Sequence, residues 1–83
     1  MAKKKIEGLI SNLHQRFADS ETSPEQEALL AQMQSQLSEW QGPKPDNNLA
    51  ETTEMLLNDL EEKHPKAAAV ARDILDTLAQ IGI

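Results

Sequence analysis

We expect this chain to fold as an all-α protein, in which four short amphipathic helices form an antiparallel bundle or two helical hairpins, with dimerisation as a way to complete the core. Apolar residues recur at helical spacing in four segments, and turns rich in polar residues, proline or glycine separate them. No stretch alternates apolar and polar residues as a half-buried strand does. Because a chain of 83 residues has enough apolar surface for only one core, residues 1–83 are interpreted as a single domain.

The first predicted helix spans residues 3–18. Its apolar side chains fall at i, i+3, i+4, i+7 and i+11, which places them on one face: Ile6, Leu9, Ile10, Leu13 and Phe17. The polar residues 19–23 end the helix.

The second predicted helix spans residues 24–41. Ser23 and Gln26 have the spacing of a capping box, and Pro24 suits the first helical position. The helix is expected to end before the turn 42–45, which contains Gly42 and two prolines. Its apolar positions are Leu29, Leu30, Met33, Leu37 and Trp40.

The third predicted helix spans residues 48–63, because Asn48 and Glu51 again have capping-box spacing. Leu49, Thr53, Leu56 and Leu60 form its stripe, and Met55 and Leu57 flank that stripe. Leu30, Met55 and Leu57 make the apolar faces wider than a small bundle needs, which favours a second contact surface and a homodimer.

The fourth predicted helix spans residues 65–81. Pro65 suits its first position and restrains His64 from helical geometry, so the chain should turn sharply there. Gly82 predicts a Schellman ending in which Ile83 packs back on Leu78.

The corner contains Glu61, His64 and Pro65, and the C-terminus has the ending Asp76, Leu78, Ile81, Gly82 and Ile83. This pattern resembles a family of short bacterial proteins known only as a domain of unknown function. The resemblance extends upstream to Leu9 and the pair Leu13-His14, and it departs at Leu60, where the family usually has Phe. It implies a small helical fold and a bacterial source, and it implies no activity, cofactor or site.

Charge and cysteine content restrict the classes of function. The formal net charge of −6 argues against general nucleic-acid affinity, although residues 1–18 carry +3. The absence of cysteine favours a reducing compartment, and no run is apolar enough to cross a bilayer. We therefore expect a cytoplasmic protein without membrane insertion.

The sequence predicts no catalytic, cofactor-binding or metal site, and we expect no enzyme. Glu61 and His64 have the Glu-x-x-His spacing of di-iron bundles, but a second such motif is required, and His14 has Ser11 at the matching position. A cap or exposed corner is the more ordinary role for His64. The carboxylate pairs Glu51 with Glu54 and Asp73 with Asp76 lie off the apolar stripes, where solvated helix faces explain them better than acid–base chemistry.

The leading hypothesis is a non-enzymatic module for protein–protein interaction or self-association, with itself, as a homodimer, or an unidentified protein as partner. Its candidate anchors for helix-in-groove contact are Leu13, Phe17, Met33, Leu37 and Trp40. For Trp40 the other interpretation is a plug at the end of the core.

The alternative function is an accessory protein for nucleic acid or an anionic surface. Its candidate contacts are Lys3, Lys4, Lys5 and Arg16, although a run of lysines is more often a solubilising end. The basic helix 1 is also predicted to lie against the acidic face of helix 3, either within an antiparallel bundle or across a dimer.

Overall fold

A computed structural model describes residues 2–82 of the chain. It contains four α-helices: α1 (Ala2–Ala18), α2 (Pro24–Ser38), α3 (Asn47–Leu60) and α4 (Pro65–Gln80). No strand occurs among the described residues. The predicted all-α fold is confirmed.

The helices pack as a four-membered ring. Helix α1 contacts α2 and α4, and α3 contacts the same two helices, so that α1 and α3 lie diagonally across the bundle in the part of the chain described. The contact of α1 with α4 is more extensive than its contact with α2. The bundle measures 35 × 20 × 19 Å.

Polar contacts show that neighbouring helices run antiparallel. The Nζ of Lys3, at the start of α1, donates to the carbonyl of Trp40, which lies just beyond the end of α2 (3.1 Å). The Nε2 of Gln26, at the start of α2, donates to the carbonyl of Asp59 near the end of α3 (3.5 Å). The structure is therefore a closed antiparallel bundle rather than two separate hairpins.

All four helices contribute to one core, as their apolar spacing predicts. Burying each leucine-sized side chain stabilises the fold by about 1.5–3 kcal/mol. Thr53 is the polar member at the centre of α3, and its Oγ1 donates to the carbonyl of Leu49 at 2.7 Å, so the hydroxyl is satisfied. The large side chains with the least exposure are Ile6, Leu13, Met33, Leu49, Leu56, Leu60, Ile74 and Leu78.

The predicted start of α2 is confirmed in detail. The backbone N–H of Gln26 donates to Ser23 Oγ, and the backbone N–H of Ser23 donates to Gln26 Oε1, each at 3.1 Å. Pro24 occupies the first turn, where its missing N–H costs nothing. Since Gln26 also bonds Asp59, the capping box holds the start of α2 against α3.

The predicted end of α2 at Gln41 is wrong, because the helix ends at Ser38. The N–H of Trp40 donates to the carbonyl of Leu37 at 3.1 Å, which tightens the backbone and takes the chain out of the helix. Trp40 consequently lies in the connection, and its side chain turns back to cover the end of the core, with 5% exposed.

The predicted bounds of the third helix are also wrong. Helix α3 begins at Asn47, with Asp46 as its N-cap and no side-chain capping bond, so Asn48 and Glu51 form no capping box. It ends at Leu60, three residues before the predicted end. The position of α3 is therefore set by burial of its apolar face and not by a cap.

The predicted corner before α4 is confirmed, with His64 as N-cap and Pro65 in the first turn. At the other end, Gly82 has a φ of 89°, and its N–H donates to the carbonyl of Ala79 at 3.1 Å, as in a Schellman ending. The predicted packing of Ile83 on Leu78 lies outside the described residues.

Removing the α2 cap should destabilise the bundle. Ser23→Ala leaves the N–H of Gln26 without its acceptor, and we expect a loss of about 1 kcal/mol in the free energy of unfolding, measured by urea denaturation. Ser11→Ala, on the exposed surface of α1, is the control and should change it little. Equal effects of the two substitutions would contradict this role for Ser23.

Replacing two glycines with alanine should change the stability of the fold in opposite directions. Gly82→Ala forces a positive φ on a residue with a side chain and should destabilise the fold by about 1 kcal/mol. Gly8→Ala should stabilise it by up to about 1 kcal/mol, because an added Cβ at this helical position has no neighbouring atom within 4 Å. Thermal unfolding followed by circular dichroism measures both changes. A lower melting temperature for Gly8→Ala would contradict the open space assigned to this position.

Candidate functional site

The five predicted anchors lie in or against the core of the chain itself. Leu13, Phe17, Met33 and Trp40 are buried, and Leu37 is half-buried and packs against the core. The fold thus brings them together, but as interior side chains. A partner could reach the buried four only if the bundle opened.

Trp40 joins three segments at one end of the bundle. Its Nε1 donates to the carbonyl of Gly42 at 3.1 Å, and its own carbonyl accepts from Lys3 Nζ. The indole therefore fixes the connection between α2 and α3, and the backbone at the same residue holds the first turn of α1.

The four cationic candidates are not a single cluster. Lys4 and Lys5 are exposed, whereas the ammonium of Lys3 is engaged by the carbonyl of Trp40. Arg16 lies about 18 Å further along α1 from Lys4, and its Nε donates to Asn12 Oδ1 at 2.9 Å. The basic surface of α1 consequently centres on Lys4 and Lys5.

Opposite corners of the bundle carry opposite charge. Helix α1 contains four basic residues and Glu7, while α3 contains no basic residue and three acidic ones, Glu51, Glu54 and Asp59. The predicted contact between the basic helix 1 and the acidic face of helix 3 is wrong within one chain, because α1 and α3 are diagonal. Each charged surface faces outward.

Met55 is the large apolar side chain left on the surface of the described chain, with 58% exposed. Leu30 and Leu57, which were also expected to widen the apolar faces, are buried in the chain's own core. Met55 lies on the outer stripe of α3, whose other members are all polar and exposed: Asn48, Glu51 and Asn58.

Gly8 makes a depression on the outer stripe of α1, between Lys4 and Ser11. An added Cβ would meet no atom within 4 Å, and the backbone φ is not positive. Nothing within the described chain therefore requires glycine here, although glycine inside a helix costs about 1 kcal/mol relative to alanine. The sequence-based predictions missed Gly8; a glycine opposite the apolar stripe of a helix is the signal that could have found it.

The corner between α1 and α4 contains His64 and an open cavity of about 400 Å³. Arg16, Asp19 and Lys66 also line it, so its charge is mixed. Glu61 forms an exposed ion pair with Arg72 at 3.7 Å and not with His64. Within residues 2–82, no three His, Asp or Glu side chains are close enough together to hold a metal ion.

The other carboxylate pairs are solvated, as their positions off the apolar stripes indicate. Glu51, Glu54, Asp73 and Asp76 are all exposed. None of the four helices is both long and apolar enough to span a bilayer, so far as residues 2–82 are concerned.

A protein-family profile matches nearly the whole chain. The profile of the family described as Domain of unknown function (DUF4404) matches residues 3–83. The match includes α1 from its second residue and all of α2, α3 and α4. No curated protein and no solved structure matches the chain.

A substitution at Trp40 should lower the free energy of unfolding, whereas a substitution at Met55 should change it little. Trp40→Phe removes the bond to Gly42 and part of the buried ring, and we expect a loss of about 1–3 kcal/mol in the free energy of unfolding. Met55→Ala is the matched surface control and should stay within about 0.5 kcal/mol. Both are measured by urea denaturation followed by circular dichroism. A larger loss for Met55→Ala would contradict these assignments.

Proposed function

The chain belongs to the DUF4404 family of domains of unknown function, and from this premise we propose that it acts in the cytoplasm as a non-enzymatic protein-interaction module, with a second copy of itself as the first partner to test. The match over residues 3–83 is consistent with the resemblance of the sequence to a family of unknown function. Because the family assigns no activity, support for the proposal comes from the surface of the bundle.

The observation that carries the proposal is Met55 on the acidic surface of α3. Protein interfaces combine an apolar centre, in which methionine is enriched, with a polar rim. Met55 has this setting, since Glu51 and Asn58 lie within about one turn on either side of it. With 58% of Met55 exposed, the side chain still has apolar area to bury against a partner.

Self-association is supported by the charges on the two diagonal helices. The basic surface of α1 complements the acidic surface of α3, and neither is covered by another helix of the same chain. Complementary charge favours encounter in one orientation and disfavours like-charged approaches. The predicted anchors Leu13, Phe17 and Met33 would serve this function by holding α1 and α3 at opposite corners.

A second candidate function uses the exposed Lys4 and Lys5 as contacts for nucleic acid or an anionic surface. The exposure of Lys4 and Lys5 favours this function. The ammonium of Lys3 is bonded to the carbonyl of Trp40, and Arg16 lies far along α1, so fewer cations are available on a single surface. Such binding should fall steeply as salt is added. It should also be lost in the double variant Lys4→Gln with Lys5→Gln.

Light scattering on the purified chain across a concentration series tests self-association. We expect a native mass that rises above the 9.2 kDa of one chain as concentration increases, because association of identical copies follows mass action. A constant mass of one chain at every concentration would contradict self-association. In that case, salt-sensitive binding of duplex DNA or anionic vesicles would favour the second candidate.

A further inference from the structure

We propose that the outer stripe of α3 docks on the outer stripe of α1 of a second copy, with Met55 seated in the depression over Gly8. This inference rests on the proposed self-association and names the two surfaces that make it. It gives a role to two features that the packing of the single chain does not explain, which are an exposed methionine and a helical glycine with open space above it.

The missing side chain of Gly8 gives the side chain of Met55 a place to pack. Side chains on one helix pack into the hollows between side chains on the next, and a glycine lets the opposing helix approach closely. Gly8 provides such a hollow at the middle of the outer stripe of α1. Met is unbranched and flexible, so Met55 can adapt to an irregular hollow of this kind.

The charges of the two stripes are also in register. Lys4 lies four residues before Gly8, which is about one helical turn, and Met55 has an acidic residue four positions away on each side, Glu51 and Asp59. If Met55 sits over Gly8 and the helices run parallel, Glu51 lies over Lys4. If they run antiparallel, Asp59 lies there instead. Either direction therefore brings a carboxylate to Lys4.

The positions of the two stripes on the bundle determine what kind of assembly forms. One contact uses α3 of the first copy and α1 of the second copy. Because α1 and α3 are diagonal, it leaves α1 of the first copy and α3 of the second copy exposed. Two copies cannot exchange both contacts at once, so the interface is heterologous and does not close as a symmetric dimer. Addition of further copies should continue until the net charge of −6 on each chain opposes growth.

Variants of the two surfaces test the contact. Met55→Gln removes the apolar side chain from α3, and Gly8→Gln fills the depression on α1. Each should weaken association by about tenfold or more, since a buried apolar contact is lost or blocked. Gly8→Gln should at the same time raise the melting temperature, because Gln favours helix over Gly. Gln32→Ala, on the exposed surface of α2, is the control and should associate like the wild type.

Mixing the two variants provides the decisive measurement. Met55→Gln retains an intact α1 surface, and Gly8→Gln retains an intact α3 surface. We expect each variant alone to stay at the mass of one chain under conditions where the wild type associates, and an equimolar mixture to form a pair that does not grow. Light scattering measures the mass of each sample.

The outcomes separate this inference from the proposed function. A wild type that associates while both variants associate equally well, or a mixture that stays at the mass of one chain, would overturn the α1–α3 contact and leave self-association standing. A wild type that never exceeds the mass of one chain would overturn both. Charge reversal then gives the direction: rescue of Lys4→Glu by Asp59→Lys supports antiparallel docking, and rescue by Glu51→Lys supports parallel docking.

Discussion

The burial of four apolar helix faces in one shared core is the constraint on which the rest of this structure depends. Because a chain of this length has a single core, each helix must turn its leucine-rich stripe inward. That requirement uses nearly all the large apolar side chains, including Trp40, and leaves polar residues and Met55 outside. The surface available to partners is what remains after the core has been closed.

Local signals made the starts of two helices predictable from the sequence. Ser23 with Pro24 and Gln26 specifies the start of α2 through side-chain and backbone bonds among near neighbours, and His64 with Pro65 specifies the corner before α4. The end of α2 was not predictable in this way. Trp40 lies beyond the end of the helix with its ring buried in the core, and that burial depends on the other helices.

The candidate site shows where sequence periodicity stops being informative. The spacing of Leu13, Phe17, Met33 and Leu37 identifies an apolar face, but the same spacing serves a core within one chain and an interface between two. The burial of these side chains within the folded chain decides between them. The diagonal placement of α1 and α3 likewise depends on all four helices together, so the charges of either helix alone could not indicate it.

The greater contact of α1 with α4 than with α2 has a consequence for biosynthesis. A ribosome delivers α1 first and α4 last, so the helix that covers most of α1 emerges only when residues 65–80 have been made. Until then the stripe from Ile6 to Phe17 has only α2 and the growing chain to shield it. A nascent chain that lacks residues 65–80 therefore exposes the apolar face of α1, which makes synthesis of α4 the step that protects this helix from misassembly.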